Sequence, residues 1–122
     1  MSLTAFVAPI LPGKLDRWKQ FASELDGPRR KEYEESRRRE HLRERAFLQS
    51  TPQGDMVIVT LEGDDPAESF RRLVTHDDPF TRWFAQQVKE IHGLDLAQVI
   101  NQPLPELWLD SESGAAQQRR AA

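Results

Sequence analysis

The rhythm of apolar and polar residues changes several times along the chain, and each change marks an element. Leu3 to Ile10, LTAFVAPI, is a short run of strand-compatible side chains closed by Pro12-Gly13, so a first strand is expected there. KLDRWKQFASELDG then places Leu15, Trp18, Phe21, Ala22 and Leu25 at helical spacing, with Gly27 as the expected stop. Pro28 suits the first turn of a second helix, expected to continue to Leu42. RAFLQS and DMVIVTLE are strand-length runs separated by TPQG, the pattern of an antiparallel hairpin. Asp65-Pro66 and Asp78-Pro79 each combine a capping carboxylate with a proline at the first helical position. The helix after Asp65 should bury Phe70, Leu73 and Val74. The one after Asp78 aligns Phe80, Trp83, Phe84, Val88 and Ile91 and should end in a left-handed cap at Gly93. Leu104 to Asp110, LPELWLD, predicts a fourth strand, confined by its prolines to an edge.

Strand, helix pair, strand, strand, helix pair, strand is the order of an α+β, ferredoxin-like βαββαβ fold with each crossover split into two helices over an antiparallel four-stranded sheet. One domain over residues 1–110 is expected, since 122 residues allow a single modest core. Residues 111–122, SESGAAQQRRAA, are small and polar with nothing to bury and predict a disordered C-terminal tail. In MVIVTL, Met56 and Ile58 point one way and Val57, Val59 and Leu61 the other, so both faces of the central strand look dry. Helices can cover only one of them; a second copy of the chain is the expected cover for the other.

Lys31 to His41, KEYEESRRREH, breaks the apolar rhythm, because it reads as helix yet Tyr33 is its only aromatic or aliphatic side chain. At 100° per residue Tyr33, Arg37 and His41 share one stripe, with Arg30 in the same sector. The bland explanation is that Tyr33 anchors the helix, Arg37 pairs with an acid and His41 is solvated near the helix end. The functional one has Arg37 clamp an anionic or carbonyl-bearing small molecule while Tyr33 donates a hydrogen bond and His41 exchanges a proton, with Trp83 walling the pocket. Tyr33, Arg37, His41 and Trp83 are therefore the candidate substrate-binding residues, and no catalytic residue is assigned.

Composition narrows the classes. Seventeen basic against twenty acidic residues leave a net charge of −3, which offers nucleic acid and anionic membrane no general attraction. The chain has no cysteine, so disulfides, thiolate catalysis and cysteine-bearing zinc sites are excluded. The opening MSLTAFVAPILPGK lacks the basic leader of a signal peptide and is too short to span a bilayer, so a cytoplasmic protein is expected. His76, Asp77 and Asp78 are better explained by helix capping than by a metal, His92 by the dipole of its helix, and neither a cofactor nor a metal is expected. There is no phosphate-binding glycine loop, no GxSxG and no HExxH, and for an RNA-binding sheet strand three offers no aromatic and strand two only Phe47.

The turn ILPGK, the helix RRKEYEESRRREH, the hairpin FLQSTPQGDMVIVTLEG and the segment DDPFTRWF together resemble a family of small uncharacterised proteins in the dimeric α+β barrel superfamily, over roughly Phe6 to Leu96. The resemblance implies two ferredoxin-like subunits paired as a barrel, often with a cavity between sheet and helices. It extends to cofactor-independent monooxygenases, haem-degrading enzymes, chlorite dismutase-like proteins and ligand-sensing domains, so it implies a fold and leaves the activity open. The expected function is accordingly a homodimer that binds a small anionic or aromatic metabolite, with monooxygenase-like or isomerase-like turnover as what the resemblance would add. The alternative is a noncatalytic dimerisation or protein-interaction module whose charged helix faces a partner.

Overall fold

A computed structural model describes residues 1–112. Eight elements follow in order: β1 (Ser2–Pro9), α1 (Leu15–Leu25), α2 (Arg30–Arg39), β2 (Arg43–Thr51), β3 (Gly54–Gly63), α3 (Pro66–Thr75), α4 (Pro79–His92) and the short α5 (Leu96–Val99). The strands form one antiparallel sheet in the order β1-β3-β2. Thr51 and Gly54 close the expected hairpin, and the register sets Phe6 opposite Val59 on one side and Ala46 opposite Val59 on the other.

The four-stranded sheet and the second split crossover are corrected by this topology. The helix pair α3–α4 leads into α5 and an extended segment that pairs with no strand among the described residues. Pro103 and Pro105 remove backbone donors just where a ladder with β1 would need them. The Thr4 hydroxyl instead donates to the Pro105 carbonyl at 2.6 Å. Leu104 is drawn against the core, while Trp108 and Leu109 stand exposed. The tail expected over 111–122 lies outside the described residues apart from Ser111 and Glu112.

Local chemistry accounts for the helix ends. The carboxylates of Asp65 and Asp78 accept from the backbone N–H groups of Glu68 and Thr81, each followed by a proline at the first turn. Gly93 takes the left-handed conformation (φ 69°) that lets its N–H return to the Lys89 carbonyl, as expected. α2 does not reach Leu42; it stops at Arg39 in a Schellman arrangement, with His41 N–H on the Arg38 carbonyl and Leu42 N–H on the Arg37 carbonyl. His41, not a glycine, occupies the left-handed position (φ 52°).

The five helices of the described residues, together with Leu104, pack over one face of the sheet, the face of Val57, Val59 and Leu61. Two buried clusters meet it: Leu42, Leu61, Phe70, Leu73, Val88 and Leu96 in one, Ile10, Phe21, Val57 and Ile91 in the other. The opposite face carries Leu3, Val7, Ile58 and Phe47, of which Val7 and Phe47 are more than half exposed. No helix is long and apolar enough to cross a membrane among the described residues.

Candidate functional site

The two clusters do not close on each other. Between them is a cavity of about 660 Å³, floored by the sheet, roofed by α1, α2 and α4, and lined as well by Phe70, Leu96, Val99 and residues 102–105. Its floor is Phe6, Ala8, Val57 and Val59, and Trp18, Phe21, Phe84 and Val88 descend from the helices. Two features of the sequence leave this space open. Alanine stands at 8, 22 and 46, where a larger side chain would fill it. Above the β2 edge, α2 reaches the sheet through Tyr33 and Arg37, which meet Glu44, and the rest of that helix is charged or small.

The way α2 docks answers the puzzle of its composition. Arg37 is 7% exposed, and its guanidinium lies between the Tyr33 ring (4.6 Å) and the Phe84 ring (4.5 Å). It donates to both carboxylate oxygens of Glu44, at 3.2 and 3.0 Å, and to the Ser36 hydroxyl at 2.8 Å. The Tyr33 hydroxyl donates to the same carboxylate at 2.7 Å. A buried ion pair capped by a phenol thus replaces the apolar stripe that normally seats a helix. Desolvation first, and the Glu44 charge second, push the Tyr33 phenol well above its usual range, so it stays protonated and remains a donor. Only Arg37 Nε is left buried without a partner in this cluster.

The four sequence-derived candidates are not brought together. Tyr33 and Glu44 line the cavity, and Arg37 sits behind them, its charge taken up by Glu44. His41 is exposed at the end of α2 and lines no part of the cavity. Trp83 faces away from it, packed on Phe21 and Phe80 with the Arg29 guanidinium 4.1 Å over its ring. At the other end of the cavity is a residue to which the sequence assigned only a helix dipole. His92 is 9% exposed, and its Nδ1 lies 2.8 Å from the Pro9 carbonyl. A carbonyl only accepts, so Nδ1 carries the proton and Nε2 is the acceptor. Burial lowers the imidazole pKa more than the Pro9 contact raises it, which keeps the ring neutral.

Glu44 was legible only as one charge in RERAFL; its inward direction needs the β2–β3 register, which sets it opposite the buried Leu61. His92 gave a weak signal, since it follows Val88 by four residues and so shares the apolar face of α4. A second polar cluster lies outside the cavity. The buried Glu40 carboxylate receives Arg72 Nε at 2.9 Å and contacts His76 Nε2 at 3.2 Å, tying the end of α2 to the end of α3. No group of three or more metal-ligating side chains occurs among the described residues.

Comparison with protein-family models, curated proteins and solved structures found no match.

Proposed function

We propose that this protein binds a small, neutral, largely aromatic or aliphatic molecule in the cavity between sheet and helices. The observation that carries the reading is the combination of an apolar chamber of about 660 Å³ with a guanidinium already neutralised by Glu44. Of the anionic and aromatic ligands weighed from the sequence, this favours the aromatic. A carboxylate entering near Tyr33 would meet Glu44, and drawing Arg37 to itself would leave Glu44 buried and unpaired. Trp18 lines the chamber and reports on occupancy. Quenching of tryptophan fluorescence by biphenyl-sized neutral aromatics, together with a rise in Tm, is expected. Isosteric carboxylates should give neither. Ala46→Trp, which fills the chamber from the β2 side, should abolish binding and leave the protein folded. Binding of the carboxylates in preference to the neutral compounds would overturn the reading.

Self-association belongs to the same proposal and is supported by the other face of the sheet. Val7 and Phe47 are 54% and 55% exposed there and flank Ile58 across all three strands, an apolar row that water covers poorly. A second copy presenting the same row satisfies both with one symmetric contact.

A further inference from the structure

Three of the carboxylates that line the cavity are occupied. Asp26 and Glu34, at its rim, receive the two ends of the Arg30 guanidinium at 2.6 Å each, and Glu44 holds Tyr33 and Arg37. His92 differs. Its Nδ1 proton is committed to Pro9, its ring is buried in the cavity wall, and Nε2 has no partner among the described residues. A wall that is otherwise apolar at this end, formed by Ala8, Phe21, Val88 and Leu94, leaves water few other groups to bond with. An unfilled acceptor in such a place is costly when the chamber is occupied by a purely apolar molecule and is satisfied when the occupant brings a donor.

We propose that His92 Nε2 is the recognition point of this cavity and accepts a hydrogen bond from the hydroxyl of a neutral phenol or other hydroxylated hydrophobe. The proposal rests on the cavity-binding reading above and specifies the ligand class. The Pro9 carbonyl makes the selectivity possible by fixing the tautomer, so that the ring presents a lone pair inward at all times. A donor is therefore preferred over an acceptor at that point. A ketone or ether oxygen in the same position would face a lone pair and be rejected. The distance from the Tyr33–Glu44 pair, which lies at the level of Leu61 while Pro9 lies at the level of Met56, gives the ligand an apolar body between two polar ends.

A matched pair separates the two claims: 4-phenylphenol and its methyl ether, 4-methoxybiphenyl, titrated calorimetrically into the full-length protein. The wild type should bind the phenol about tenfold more tightly, the worth of one net hydrogen bond in a dry site. His92→Asn keeps an amide donor for the Pro9 carbonyl but places no acceptor where Nε2 stood, so phenol affinity should fall to that of the ether while ether affinity stays constant. In the wild type, nitrogen NMR of the imidazoles gives an independent readout: one unprotonated ring nitrogen should shift on adding the phenol and not on adding the ether. Equal affinity for the two compounds in the wild type, or a phenol preference that survives in His92→Asn, overturns the role of His92 and leaves the cavity reading standing. Failure of both compounds to bind overturns both claims.

Discussion

At the scale of single residues, the charges of α2 divide into those that hold the fold and those that only face water. Arg30, Arg38 and Glu34 form exposed pairs along the helix, of the kind worth a few tenths of a kcal/mol. Arg37 is different because its partner is buried with it. Arg37→Ala leaves the Glu44 charge stranded, and a loss of about 3–5 kcal/mol is expected from urea denaturation. If the pair is structural, Arg37→Met combined with Glu44→Met should recover most of that loss. His41 makes the opposite case. It holds a left-handed conformation that glycine adopts without strain, so His41→Gly should stabilise the protein by up to about 1 kcal/mol. A stability loss of that size would mean that the imidazole has contacts of its own to lose. The stripe of Tyr33, Arg37 and His41 was legible as a helical spacing, but its members part company because the helix ends at Arg39 and the chain turns before His41.

At the scale of elements, capping and register decide most of what is seen. Asp78 holds α4 through the Thr81 N–H, and that hydrogen bond is the foremost reason its carboxyl sits below the usual aspartate range. Asp78→Ala should cost about 0.5–2 kcal/mol, visible as a Tm several degrees lower. Caps of this kind could be read directly, since a carboxylate and a proline at adjacent positions act within one turn. The fourth strand could not. Leu104 to Asp110 has strand-like composition, but a strand exists only where a neighbour's donors and acceptors match its own, and Pro103 and Pro105 supply no backbone N–H to such a match. α5 was equally illegible: four residues capped by Asp95 carry too little pattern to register.

At the scale of the whole molecule, three titratable groups, Glu40, Asp78 and His92, set the acid limit of stability. Burial alone would raise the pKa of Glu40, but the hydrogen bonds from Arg72 and His76 outweigh it and hold the carboxyl low; Asp78 is held low as well. Both contribute stability that is present above the ordinary carboxylate pKa of about 4 and is lost as pH falls through their lowered folded values. His92 acts earlier. Its folded pKa is depressed, so below about pH 6.5 the unfolded chain takes up a proton that the native state refuses, and stability begins to decline there. Denaturation followed between pH 8 and 3 should show that shallow first decline, and His92→Asn should remove it while leaving the steeper one. The open sheet face makes a separate claim about assembly. Sedimentation at micromolar concentration should give a dimer, and Phe47→Glu should give a folded monomer; a wild type that stays monomeric would refute the association. The order of elements from β1 to α4, the caps at Asp65, Asp78 and Gly93 and the apolar composition of the central strand follow from the sequence, because each depends on neighbours within a few residues along the chain. The cavity, the pairing of Arg37 with Glu44 and the orientation of His92 needed the folded chain, because each depends on which distant side chains arrive at the same point and on how much space alanines at 8, 22 and 46 leave when they do.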